Sequence, residues 1–346
     1  MNILIIGAGA IGGYLGGKLA AHHHVTLYDR AGLVDAVRTR GLRLIEPEAE
    51  VTVDNLAAFT SLAEVFAHTP RFDLALCCVK AYDTAEVIEA LRPYTDRIAL
   101  WLTPQNGVAN EDLLGQAFGR EKIIAGTVLN PISIPEIGTV RLEKRKGGLG
   151  LAPIDPAGPI QPMADALASI GLPLRVYADY RAMKWSKLLL NLLGNATSAI
   201  LDMNTLETFA DRRVFAIEVA ALREAIAVLD ASRIKAVALP GYPVPLLVLA
   251  LRYLPLPVLQ PVLRRMAKSG RGAKQPSLLI DLNAGRPGSE IDALNGAVSQ
   301  ASGAIGVRTP VNDALTTIVR ELVAGPIERA AWRRQVDRLV KLTSHP

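Results

Sequence analysis

The chain has 346 residues, half of them hydrophobic and 21% charged, which is the composition of a folded globular protein and excludes an intrinsically disordered one. That length is more than one core serves well, so two domains are expected. A net charge of +5 suits an anionic cofactor or a small acid, and equally a slightly basic surface with no specific partner, while no basic stretch interleaved with aromatic residues points to nucleic acid.

The first elements carry the strongest signal. An apolar strand over Asn2–Ile6 runs into Gly7-x-Gly9-x-x-Gly12, and a helix is predicted over Ala10–Ala21. Strand, glycine turn and helix in that order are the setting of a dinucleotide fingerprint. Gly7 permits the tight turn, Gly9 lets backbone amides approach a pyrophosphate, and Gly12 lets the helix pack close to the strand. Ala10 and Ile11 then present the helix N-terminus to the phosphates. A second strand, Val25–Tyr28, ends in Asp29-Arg30. An acid there hydrogen-bonds the 2′-hydroxyl of NAD, and an arginine accommodates the 2′-phosphate of NADP. His22, His23 and His24 point in different directions and read as a solvated loop, so no metal is expected.

Further strands are predicted over Leu74–Val79, Ile98–Leu102, Ile123–Val128, Thr139–Leu142, Gly147–Leu151 and Leu174–Tyr177, with helices over Thr84–Leu91 and Asn110–Phe118. The alternation predicts a doubly wound parallel sheet, and the strands around Gly138 and Gly147 an antiparallel edge. Lys80 and Asn106 fall at the carboxyl ends of two successive strands, where such sheets place ligands. The two cysteines, Cys77 and Cys78, are adjacent on one strand. That argues against a disulfide framework and for a reducing cytoplasm. The N-terminal apolar run is too short for a signal peptide.

Beyond residue 177 the pattern turns helical, over Tyr180–Leu201, Arg212–Ile234, Pro276–Leu282, Glu290–Gly303 and Pro310–Ala324. The expected fold class is therefore α/β, with a Rossmann-type dinucleotide-binding domain over residues 1–177. An all-helical substrate domain follows over 178–346, with a homodimer contact as a further expectation. The most apolar stretch, Leu239–Val262, is broken by Arg252 and repeated prolines and never reaches the roughly 20 uncharged residues of a membrane span. Buried helices or a subunit contact rank first there. Attachment to an anionic lipid surface through Arg264, Arg265, Lys268, Arg271 and Lys274 ranks second.

On the helix over Tyr180–Leu201, Lys187, Asn191 and Asn195 share one face through spacings of four. A polar stripe facing solvent is one reading. A substrate site, with Lys187 as proton donor and the asparagines on substrate oxygens, is the other. Glu290, in Gly288-Ser-Glu-Ile-Asp292, is a carboxylate candidate, although Ser289 and Asp292 also form a capping-box-like pair. Ser277 after Pro276 reads equally as a helix start.

Together these residues resemble the ketopantoate reductase (2-dehydropantoate 2-reductase) family over essentially the whole chain. The likeness rests on GAGAIGG (Gly7–Gly13), CVKAYDT (Cys78–Thr84), QNGV (Gln105–Val108), WSKLLLNLLGNATSAI (Trp185–Ile200) and SLLIDLNAGRPGSEIDALNG (Ser277–Gly296). The resemblance implies NADPH-dependent reduction of 2-dehydropantoate to pantoate in pantothenate biosynthesis. It implies Lys187 as the catalytic lysine that protonates the carbonyl oxygen and Glu290 as the acid holding the substrate hydroxyl. Ser277 would bind the substrate carboxylate, Asn191 and Asn195 would position substrate, and Lys80 and Asn106 would lie at the nicotinamide end. Arg30 matches the family's arginine and favours NADP, while Asp29 keeps NAD as an alternative. Arg286-Pro287-Gly288 departs from the family by one residue and the Leu239–Val262 segment looks longer than usual. Both keep a different 2-keto acid substrate open, and a non-catalytic NADP sensor is the remaining alternative.

Overall fold

The computed structural model describes residues 1–271, 275–286, 288–325 and 328–344. The chain divides into two compact units. One comprises Met1–Gln105, Ala109–Lys184 and Leu239–Tyr242, the other Asn106–Val108, Trp185–Ala238 and Pro243–Pro346.

The strands of the first unit are β1 (Asn2–Ile6), β2 (His24–Tyr28), β3 (Leu42–Glu46), β4 (Ala49–Val53), β5 (Ala57–Phe59), β6 (Phe72–Cys77), β7 (Ile98–Thr103), β8 (Ile123–Val128), β9 (Ile132–Glu136), β10 (Thr139–Leu142), β11 (Leu149–Pro153) and β12 (Leu174–Val176). Eight of them form one sheet in the order β12-β11-β8-β7-β6-β1-β2-β5. The segment β5-β2-β1-β6-β7-β8 is parallel throughout, and its order is that of a dinucleotide-binding sheet with a switch point between β1 and β6. Strand β11 runs antiparallel to β8, with β12 parallel to β11 beyond it. The antiparallel edge thus exists at β11, but β10 is not part of it. It belongs to a separate sheet, β4-β3-β10-β9.

The helices of this unit are α1 (Ala10–Leu19), α2 (Ala31–Arg40), α3 (Leu62–His68), α4 (Thr84–Leu91), α5 (Asn110–Phe118) and α6 (Gln161–Ala168). Helix α1 is flanked by both sheets, which explains its glycines. A Cβ on Gly16 would lie 3.0 Å from Ile5, and one on Gly17 2.9 Å from Leu44. Ile3 to Ile6 of β1 are wholly buried, as are Leu27 of β2 and Leu76 of β6. Burial on both faces is what a parallel sheet covered by helices imposes. Cys77 and Cys78 are free thiols, and burial pushes Cys77 up to about 12.

Helix α7 (Tyr180–Leu192) carries the chain past the unit boundary after Lys184. The second unit then holds α8 (Ala196–Leu201), α9 (Thr205–Ala210), α10 (Arg212–Ala231), α11 (Val244–Tyr253), α12 (Leu256–Arg271), α13 (Ser277–Asn283), α14 (Asn295–Gly303), α15 (Pro310–Ala324) and α16 (Val336–Ser344). The long α10 is central and touches α9, α11, α12, α14, α15 and α16. Its Val214, Leu222, Ala225 and Val228 are wholly buried.

The apolar stretch at Leu239–Val262 becomes α11 and α12, which bury Leu247, Leu251, Leu259 and Leu263 and expose Leu246, Leu249, Tyr253, Val258 and Val262. No helix among the described residues is long and apolar enough to cross a membrane. Lys274 and the side chains of Lys268 and Arg271 lie outside the described residues.

Candidate functional site

In the first unit the predicted cofactor residues meet at the carboxyl ends of β1, β2 and β6. Gly7 adopts φ +85°, and a Cβ there would sit 2.8 Å from the backbone nitrogen of Val79, so the glycine turn lies against the end of β6. A Cβ on Gly12 would come within 2.1 Å of the Gly7 carbonyl, so that position closes the helix onto the turn. Gly9 differs. No atom lies within 4 Å of a Cβ built there, and its φ of −65° is open to any residue. Its φ is not left-handed and no neighbouring atom excludes a Cβ at Gly9, so space is left beside its backbone for an outside group. Ala10 and Ile11 open α1, whose first-turn amides have no partner inside the helix. The loop therefore fits a dinucleotide pyrophosphate on geometry alone.

The carboxylate of Asp29 turns toward this loop. Its Oδ2 accepts the Ala8 N–H at 2.5 Å and its Oδ1 the Arg30 N–H at 2.6 Å. The Arg30 side chain is fully exposed, with Nε 4.0 Å from Asp29. Burial, aided by the Glu86 carboxylate, pushes the Asp83 carboxyl above its usual range while Arg30 and Lys80 pull it down. Lys80 itself precedes the short turn Ala81–Asp83.

In the second unit a polar cluster forms around α7. Asn191 Nδ2 donates to Asn106 Oδ1 at 3.0 Å. Asn195 Nδ2 donates to Ser277 Oγ at 3.2 Å, and its Oδ1 accepts the Leu278 N–H at 3.2 Å. Gly107, at φ +93°, sits where a Cβ would be 2.8 Å from the Ala293 carbonyl, so the Asn106 loop lies against the turn that begins at Glu290. Glu290 is buried and Lys187 half-buried, the latter one helical turn before Asn191.

Three expectations need correction. Asn195 does not continue the helical face of Lys187 and Asn191. The helix stops at Leu192, Gly194 turns left-handed at φ +58°, and Asn195 is the N-cap of α8. The left-handed glycine ends the helix, and buried Glu218 on α10 accepts the freed Gly194 N–H at 2.8 Å and the Thr197 hydroxyl. Secondly, the helix over Glu290–Gly303 is a 3₁₀ turn, Glu290–Ala293, followed by α14. Thirdly, the capping-box pair is absent. Ser289 caps alone by accepting the Ile291 N–H, and Asp292 pairs with Arg320 at 2.6 Å. At the departure in the Ser277–Glu290 connection, Arg286 folds back on Asp281 at 2.9 Å, and Pro287 lies outside the described residues.

Glu218 escaped sequence reasoning, and so did a buried network in the first unit. Gln105 Oε1 accepts the Thr103 hydroxyl at 2.9 Å, and Gln105 Nε2 donates to the Val79 carbonyl at 2.9 Å and to Thr84 Oγ1 at 2.8 Å. Lys184 and Glu111 form a buried ion pair beside it at 2.7 Å. For Glu218 the sequence signal is a charge within the apolar run 214–222; Lys184 and Glu111 have no such signal. No cluster of His, Cys, Asp or Glu among the described residues could hold a metal ion.

Comparisons with known proteins place the chain in a family. A family model described as "Ketopantoate reductase PanE/ApbA" matches residues 3–155, and its C-terminal counterpart matches residues 179–323. A 2-dehydropantoate 2-reductase of Mesorhizobium japonicum is 27% identical over 96% of this chain and 100% of its own length. Among solved structures, the PanE/ApbA family ketopantoate reductase of Ralstonia eutropha JMP134 is similar at a TM-score of 0.77 and 29% identity, over 94% of this chain and 99% of that one. A D-mandelate dehydrogenase with NADH and anilino(oxo)acetate shares the fold at a TM-score of 0.78 and 23% identity, over 94% and 98%. The chain belongs to the ketopantoate reductase family of oxidoreductases.

Proposed function

We propose that this protein reduces 2-dehydropantoate to pantoate with NADPH. The observation that carries the reading is the polar cluster of the second unit, where Asn191 pairs with Asn106 and Asn195 with Ser277 beside the turn of Glu290. A bound nicotinamide dinucleotide supplies the hydride. As the carbonyl carbon becomes tetrahedral, negative charge builds on its oxygen, and Lys187 lowers that barrier by delivering a proton to it. Glu290 accepts a hydrogen bond from the substrate hydroxyl, which sets the orientation of the 2-keto acid. Ser277 and Asn195 hold its carboxylate end, and Asn191 holds Asn106 in place. Relatives named 2-dehydropantoate 2-reductase support the choice of substrate.

For the cofactor, the glycine turn and the N-terminus of α1 hold the pyrophosphate, and Lys80 takes the nicotinamide end. Arg30 meets the 2′-phosphate. Asp29 accepts two backbone amides, one on each oxygen, which ties its carboxylate to the loop.

The test is Lys187→Ala. It should lose about 10²–10⁴-fold in kcat, the span of general acid catalysis. NADPH affinity by fluorescence titration and the thermal midpoint should stay as in the wild type. Near-normal turnover would remove Lys187 from the mechanism.

A further inference from the structure

Lys184 is one of the most buried cations of the first unit, 2% exposed, and Glu111 opposite it is fully buried. Its ammonium donates to the Gln105 carbonyl at 2.5 Å and the Gly126 carbonyl at 3.2 Å, and it lies 2.7 Å from Glu111 Oε1 as an ion pair. These partners come from α5, from the loop after β7 and from β8, so one side chain joins three elements.

A buried ion pair is weak as a stability device. Apolar residues of similar volume often do as well, because removing two charges from water costs much of what their attraction returns. Stability is therefore a poor reason for this pair. What apolar packing could not supply is a fixed backbone carbonyl at Gln105. The side chain of that residue is already held by Thr103, Thr84 and the Val79 carbonyl, and Thr84 in turn donates to Asn110 at 3.1 Å. The two residues that follow the held positions are Lys80, after Val79, and Asn106, after Gln105. Both belong to the proposed machinery.

We propose that Lys184 is a positioning residue. By gripping the Gln105 carbonyl, with Glu111 as its buried counter-charge, it fixes the backbone from which Asn106 emerges. This rests on the functional reading above for its catalytic consequence, though not for the grip itself. Lysine suits the task because a compact ammonium spreads its donors over three directions, whereas the planar fork of arginine cannot.

The test compares the wild type with Lys184→Met and with Lys184→Met/Glu111→Gln. The single variant strands a buried carboxylate, which burial already pushes above its usual range, and its thermal midpoint should fall. The double variant removes both charges and should recover most of that midpoint. The readout that separates positioning from stability is amide exchange in the peptide spanning residues 103–110. It should quicken by about tenfold or more in both variants while peptides from β1 stay protected in the double variant, since a segment can open locally without global unfolding. With 2-dehydropantoate as substrate, kcat should fall by about tenfold or more in the double variant despite its restored midpoint, as expected for a displaced catalytic loop.

A double variant with wild-type exchange over residues 103–110 would overturn the proposal, and so would kcat within about twofold of the wild type in an active enzyme, the displacement cost being absent. If the wild type itself reduces no 2-keto acid, the functional reading fails, and the exchange result still decides whether Lys184 grips the loop.

Discussion

Asn195 holds Ser277 through a 3.2 Å hydrogen bond to its hydroxyl while also accepting the neighbouring Leu278 amide, so one buried side chain fixes the start of α13. Removing it strands a hydroxyl and a backbone N–H. Asn195→Ala should therefore lose about 1–3 kcal/mol of stability, the cost of leaving buried polar groups unpaired. If Ser277 binds the substrate carboxylate, the same variant raises KM for the keto acid and leaves NADPH affinity intact. A stability loss with unchanged KM would reduce the pair to a structural role.

Gly9 and Gly12 should respond oppositely to alanine. The Cβ of Gly12→Ala would meet a backbone oxygen at 2.1 Å, so that variant should be strongly destabilised. The Cβ of Gly9→Ala meets nothing within 4 Å, so that variant should melt like the wild type yet bind NADPH at least about tenfold more weakly. Thermal melts with cofactor titration separate the two. A Gly9→Ala protein with normal affinity would contradict a phosphate site at that position.

Cofactor choice turns on the end of β2. Arg30→Ala should lower kcat/KM for NADPH by about tenfold or more and leave NADH much less affected, because only NADPH carries the 2′-phosphate. Asp29→Ala frees the Ala8 amide and should weaken both cofactors together. Asp29→Ala that selectively harms NADH would instead make Asp29 the ribose ligand.

Acid sensitivity should be partly local to Glu46. Burial raises its carboxyl, but the Tyr14 hydroxyl at 2.6 Å, Lys18 at 3.3 Å and Arg145 outweigh that and hold it below its ordinary value. A depressed carboxyl contributes its full stability above the unfolded pKa of about 4.3 and loses it as pH falls through the folded value. Tyr14→Phe should be less stable than the wild type at neutral pH, with the gap narrowing below roughly pH 4. Thermal midpoints measured across that range check it, and a gap that widens in acid would contradict the assignment.

Much of the fold was legible because local pattern and burial coincide. The apolar runs at Ile3–Ile6 and Leu74–Cys77 are buried on both faces, so they read as strands without tertiary knowledge. Strand β4, Ala-Glu-Val-Thr-Val, exposes four of its five residues and gives no apolar run to find. At the site, Lys187, Asn191, Ser277 and Glu290 stood out by motif. The helix break before Asn195 has Gly194 as its only local signal, and Glu218, which accepts the Gly194 N–H, lies 24 residues away. Lys184 and Glu111 were equally invisible, because a buried charge and a surface charge are spelled alike.

The most direct measurement is the loss of reduced-nicotinamide absorbance when the protein is mixed with 2-dehydropantoate, run in parallel with NADPH and NADH. NADPH should be oxidised rapidly, with one pantoate formed per cofactor consumed, and NADH more slowly. A protein that binds NADPH yet oxidises neither cofactor with 2-dehydropantoate would contradict the proposed function.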